Sequence, residues 1–103
     1  MFKVVFFVPE HELERVKQAC FGAGAGRYHQ YEYCCWQTKG VGQFRPLTGS
    51  NPHIGQRGQL ERVEEYRVEM ICDEDIIDSV ISALRATHPY EEPAYDVLLL
   101  LDY

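Results

Sequence analysis

Long hydrophobic runs are missing from this chain. The apolar stretch Val4-Val5-Phe6-Phe7-Val8 stops at Pro9-Glu10, far short of the roughly 20 residues that a helical membrane span needs. No small-residue cleavage site follows it, so no secretory signal is expected, and the reading is of a cytoplasmic protein with no membrane partner. Positive charge is also scarce. Against 16 Asp and Glu stand 10 Lys and Arg, a formal net charge of -6, and such a chain lacks the bulk positive field that drives sequence-independent binding of nucleic acid. The first half is the more balanced one, with Lys3, Arg15, Lys17, Arg27, Lys39 and Arg45 against Glu10, Glu12, Glu14 and Glu32, while the second half is strongly acidic.

Cysteine is present without a cysteine pattern. Cys20, Cys34, Cys35 and Cys72 form no C-x-x-C pair and no disulfide framework, so reduced, mostly buried thiols are expected. On a strand, the neighbours Cys34 and Cys35 would point to opposite faces, which opposes a shared metal. The histidines at 11, 29, 53 and 88 form no H-E-x-x-H pair, and each reads as structural or solvent-exposed. Gly40-x-Gly42 is followed by no Gly-Lys-Ser/Thr ending, which removes the phosphate-loop reading and leaves turn geometry as the reason for these glycines. No Ser/His/Asp or Cys/His nucleophilic set can be assembled from local motifs. No catalytic residue, metal ligand set or cofactor is therefore assigned.

What is present is an ordinary globular composition, 46% hydrophobic and 25% charged over 103 residues. It reads as one domain, residues 1-103, able to bury roughly 65% of the surface that its unfolded form exposes.

The chain divides into two similar halves. Residues 2-10 and 66-74 each place a strand before an acidic helix start, where the helix dipole favours negative charge. In the helices that follow, Leu13, Val16, Ala19, Cys20 and Ala23 match Ile77, Val80, Ala83, Leu84 and Thr87, both sets at the three-and-four spacing of one buried face. Gly22, Gly24 and Gly26 end the first helix and His88-Pro89 the second. Further strands are expected over Tyr28 to Thr38 and Ala94 to Leu101. The order βαββαβ with right-handed crossovers gives an α+β, ferredoxin-like sandwich: an antiparallel sheet with both helices on one face. Alternation in the second strand puts Tyr31, Tyr33 and Cys35 on one side and Glu32, Cys34 and Trp36 on the other, so the sheet face without helices would carry exposed aromatics, and self-association is the simplest cover.

Between the second and third strands lies a long connection, about 40-63. Phe44, Pro46, Leu47, Pro52, Ile54 and Leu60 can anchor it, which implies an ordered excursion folded against a surface. Within it Arg45 sits between Phe44 and Pro46. Its guanidinium suits a carboxylate or phosphate partner, or else a salt bridge to Glu91, Glu92 or a neighbouring subunit. Glu91 and Glu92 lie in the densest motif of the chain, His88-Pro89-Tyr90-Glu91-Glu92-Pro93-Ala94-Tyr95-Asp96-Val97. Two prolines restrict its backbone, and two carboxylates can bond amides or an arginine, so the block can latch the second helix to the last strand.

The His-Pro-Tyr-Glu-x-Pro core of this block resembles the segment before the last strand of CutA proteins. With Glu92 and Tyr95-Asp96 added, it is similar to the PII/CutA-like insert domain of the YqfO (NIF-three-like) family. The resemblance continues through Gly24-Ala25-Gly26-Arg27, Tyr31, Cys34, residues 40-47, Gly49-x-Asn51-Pro52-x-Ile54-Gly55 and Gly58-x-Leu60-Glu61. It implies a PII/CutA-like fold in a stand-alone copy of the insert domain, a homo-oligomer with a trimer favoured, and ligand sites near subunit boundaries. Full-length YqfO-like proteins carry a separate metal-bearing domain and at times a cyclohydrolase name; neither is expected to transfer to a chain with only the insert-like part. The expected function is a non-enzymatic ligand-sensing or protein-interaction module, with Arg45, His88, Glu91 and Glu92 as candidate ligand-binding residues for a small anionic metabolite or a protein partner. The alternatives are a CutA-like divalent-metal-binding tolerance protein and a hydrolase with an intersubunit site.

Overall fold

The apolar alternation after Met1 forms β1 (Phe2–Pro9), the strand around which the rest is arranged. In the structure, a computed structural model describing residues 1–103, β1 is followed by a short 3-10 turn and α1 (Leu13–Gly22), then β2 (Trp36–Phe44), β3 (Glu61–Cys72), a second 3-10 turn, α2 (Ile77–Thr87) and β4 (Tyr95–Leu99). The four strands make one sheet in the order β2-β3-β1-β4. All neighbours are antiparallel, and the register pairs Val4 with Met70, Phe6 with Val68 and Phe2 with Cys72. Residues paired across an antiparallel ladder share a face. Val4, Phe6, Val8, Val68, Met70 and Cys72 thereby meet Leu13, Val16, Cys20 and Phe21 of α1 and Val80 and Leu84 of α2 in one core cluster. Both helices cover that face of the sheet, as the expected βαββαβ sandwich requires. No helix is long and apolar enough to cross a membrane.

The last strand is shorter than the expected Ala94 to Leu101, spanning Tyr95–Leu99, and two larger differences from the sequence-based expectation lie around the second strand. The second strand starts at Trp36, not Tyr28, because the backbone turns twice before it: His29 (φ 52°) and Tyr33 (φ 58°) are left-handed. Tyr28 and Tyr31 exchange both backbone hydrogen bonds at 2.9 Å in a tight turn. Tyr33 is drawn back onto α1, its ring edge-on to Phe21 at 5.3 Å. Tertiary ties override the strand propensity of a Tyr- and Cys-rich run. The connection is also shorter than 40–63. Gly40 and Gly42 are strand residues of β2, not turn glycines, and β3 begins at Glu61, so the excursion covers 45–60.

Gly26 anchors the irregular segment. Its N–H donates to the Ile71 carbonyl and its own carbonyl accepts from Cys34 N–H, both at 2.8 Å. Its φ is +77°, and a Cβ there would stand 2.8 Å from the Cys34 carbonyl oxygen and the Phe21 ring. Left-handed geometry and lack of room act together at this position. Gly26→Ala is expected to lower unfolding free energy by roughly 1–3 kcal/mol. Gly22, at the end of α1 with nothing within 4 Å of a built Cβ, is the control: Gly22→Ala should be neutral or stabilising by up to about 1 kcal/mol. Urea midpoints of the two variants measure the contrast, and equal midpoints would contradict it.

Candidate functional site

The pairing of β1 with β4 ends at Phe6 opposite Tyr95, so the next carbonyl, that of Phe7, lies beyond the ladder. His88, the residue that ends α2, supplies the missing partner: its Nε2 lies 2.6 Å from the Phe7 carbonyl oxygen, and the Tyr90 N–H donates to its Nδ1 at 3.1 Å. A carbonyl can only accept and an amide N–H can only donate, which fixes the ring as the neutral Nε2–H tautomer. Protonation at Nδ1 would set two donors against each other. Burial also disfavours the charge and holds the ring below the ordinary histidine range, although the Phe7 contact pulls the other way. His88 is buried, at 7% exposure.

The bridge fixes Tyr90. Its ring packs 4.8 Å from His88, tilted, and stands 6.5 Å from Phe44 and 6.2 Å from His53. Its hydroxyl donates to Glu65 Oε2 at 3.2 Å. Glu65 reaches this point because Gly42, on the neighbouring strand, has no side chain in the space that Glu65 occupies. Burial raises the Glu65 carboxyl above the usual carboxylate range, against the Tyr90 hydrogen bond, which lowers it. Burial and the adjacent Glu65 likewise push the Tyr90 phenol up, so it stays a donor.

The 45–60 excursion closes over this ring. It is tied by Gly58 N–H to the Pro46 carbonyl (2.6 Å), by Ser50 Oγ to the Leu47 carbonyl (2.7 Å) and by Arg57 Nε to the Ser50 carbonyl (2.6 Å). Asn51 N–H donates to Glu91 Oε2 at 2.9 Å, joining the excursion to the His88 block. Between them lies a cavity of about 440 Å³. Phe7 and Glu65 line it from the helix-free sheet face, Phe44, Leu47 and Ile54 from the excursion side, and Tyr90 and Ala94 from the block.

Of the four residues singled out in the sequence, Arg45, Glu91 and Glu92 line the cavity and His88 lies behind its Tyr90 wall. The anticipated salt bridge from Arg45 to Glu91 or Glu92 is absent from the ion pairs of the chain. A backbone amide takes the Glu91 carboxylate instead. Phe7 and Glu65 escaped the sequence analysis because they come from β1 and β3, remote from the motif; the signal available was that both fall on the strand positions facing away from the helices. Within one copy of the chain, no three His, Cys, Asp or Glu side chains gather into a metal-holding group. All four cysteines are free thiols, with Cys20 pushed up to about 12 chiefly by burial.

No family model matches the sequence. The chain is 45% identical over 97 residues to the GTP cyclohydrolase 1 type 2 homolog of Halalkalibacterium halodurans, an alignment that takes in 94% of the chain and 26% of that relative. A solved Bacillus cereus protein related to NIF3 superposes with a TM-score of 0.85 at 44% identity, over 98% of the chain and 26% of the larger protein. Pyrococcus horikoshii CutA superposes with a TM-score of 0.73 over 100% of the chain and 87% of its own length, at 16% identity. The first two place the chain against about a quarter of longer proteins, and the third has its fold.

His88→Ala leaves the Phe7 carbonyl and the Tyr90 N–H without their partner, a loss of about 1–3 kcal/mol at neutral pH. In the wild type the lowered His88 pKa means that, below about pH 6.5, the unfolded chain binds a proton that the folded chain refuses. The stabilisation is complete above that pH and is lost as pH falls through the folded value. Denaturant melts at pH 7 and pH 5 should therefore show a smaller wild-type advantage at pH 5. An advantage that grows on acidification would contradict the bridge.

Proposed function

As a homologue of one segment of the NIF3-related proteins with the fold of CutA, the chain is, we propose, a non-enzymatic ligand-sensing or protein-interaction module that works as a homo-oligomer, with a trimer favoured. The observation that carries the ligand part is the cavity of about 440 Å³ beside Arg45, Glu91 and Glu92, within the usual size range of small-molecule sites. Arg45 and Glu92 are its exposed rim, positioned to meet a small metabolite or the side chains of a partner. His88 contributes from behind, as the group that holds the wall.

The oligomer part is supported by the sheet face that carries no helix. Trp36 there is 60% exposed, beside Ile71, Met1 and Leu100 in a shallow apolar trough. At the sheet edge β4 and its continuation expose Leu98, Leu99 and Leu101. Exposed apolar side chains gathered in a trough and along a sheet edge are the kind of surface that marks an interface. A second copy of the chain covers it most simply. The cyclohydrolase in the relatives' name is not carried over, since the chain spans about a quarter of their length.

Light scattering at micromolar concentration should give a particle about three times the 12.0 kDa of one chain, and a monomer with Trp36 freely solvated would sink the oligomer reading. Replacing both Glu91 and Glu92 with Gln retains size and the acceptor for Asn51 N–H but removes both charges. Fold and assembly should survive and binding at the cavity should be lost. Loss of assembly with binding intact would assign the pair to a structural latch instead.

A further inference from the structure

The charges around the cavity are arranged in a way that neither a simple anion site nor a simple cation site explains. Arg45 has no carboxylate within ion-pair distance, although Glu91 and Glu92 line the same cavity. Glu91 spends one oxygen on the Asn51 amide and has its other oxygen free of any protein hydrogen bond. Glu92 has no hydrogen-bond or ion-pair partner, and Arg85 on α2 lies near enough to feel its field. Cation and carboxylates thus share one mouth without neutralising each other. Below them the walls are apolar and aromatic: Phe7, Phe44, Leu47, Ile54 and the ring of Tyr90.

An anion alone would meet Arg45 and also the repulsion of the two rim glutamates and of Glu65. An amine alone would satisfy the carboxylates and leave the guanidinium fork idle. A molecule with one group of each sign on a short apolar or aromatic body answers every feature. We propose that the cavity takes a zwitterionic amino carboxylate with an aromatic or branched apolar side chain. Its carboxylate pairs with the Arg45 guanidinium, in the planar two-bond geometry that arginine favours. Its ammonium lies against the free oxygens of Glu91 and Glu92, and its side chain packs into the cavity against the Phe44 and Tyr90 walls. The assignment rests on the reading of the cavity as a ligand site and names the class of ligand for it.

Four probes that share a phenylethyl body separate the contributions: L-phenylalanine, 2-phenylethylamine, 3-phenylpropionate and 3-phenylpropan-1-ol, titrated at millimolar concentration into the intact protein by calorimetry, with the Phe44 and Tyr90 ring resonances followed by NMR. L-phenylalanine should bind at those rings, and the three analogues should bind at least tenfold more weakly. Arg45→Gln should weaken L-phenylalanine at least tenfold and leave 2-phenylethylamine unchanged. Equal binding by any analogue overturns the zwitterion assignment while leaving the cavity a ligand site. No binding by L-phenylalanine overturns it as well, and the oligomeric state recorded on the same samples tests the module reading by itself.

Discussion

A neutral imidazole holds the working end of this molecule together. Where β4 stops pairing with β1, the Phe7 carbonyl would be left without a partner, and His88 Nε2 takes it at 2.6 Å while Nδ1 receives the Tyr90 N–H. Buried polar groups are costly when unmatched, so one ring that satisfies a strand carbonyl and a loop amide replaces two penalties with two bonds. The consequences run outward. Tyr90 is fixed in place, its hydroxyl reaches Glu65 on β3, and its ring becomes the wall over which the 45–60 excursion folds. The cavity exists because a helix end, two strands and a long connection are tied at this point.

The two faces of the sheet divide the labour. One face is closed by α1 and α2 over Val4, Phe6, Val8, Val68 and Met70, and each of those side chains contributes on the order of 1.5–3 kcal/mol by leaving water. The other face has no helices. At its centre Glu69 joins Lys3 at 3.5 Å and Arg67 at 3.3 Å, above Val5, which is almost fully buried. These ion pairs are partly exposed and each is worth at most about 1 kcal/mol. They matter more by leaving this face mixed in character: polar at the centre, apolar at the Trp36 end and excavated at the Phe7 end.

Much of the architecture was legible in the sequence because it is carried by local periodicity. Matching apolar registers in the two helices and two strand-then-acid starts are enough to give βαββαβ and the helix-covered face. The second strand was not legible in the same way. Gln30 to Gln37 alternates as a strand does, yet the ties of Gly26 to Ile71 and Cys34, and of Tyr33 to Phe21, turn that stretch into a folded loop; no pattern within a few residues encodes a bond to β3. The site was half legible. Arg45 and the Glu91-Glu92 pair could be picked out by their setting among prolines and aromatics. Glu65 and Phe7 could not, since they reach the cavity through the sheet register. Nor was the Glu91 partner legible: the Asn51 amide reaches it in a contact between residues 40 apart in the chain.

The state of the His88 ring is the most direct test of this account. Nitrogen chemical shifts of the imidazole at pH 7 distinguish a protonated nitrogen from a bare one without any substitution. The account predicts a protonated Nε2 and a bare Nδ1, the arrangement in which one ring serves both the Phe7 carbonyl and the Tyr90 amide. A doubly protonated ring, or a proton on Nδ1 with Nε2 bare, would remove the bridge and contradict the account of how the cavity is built.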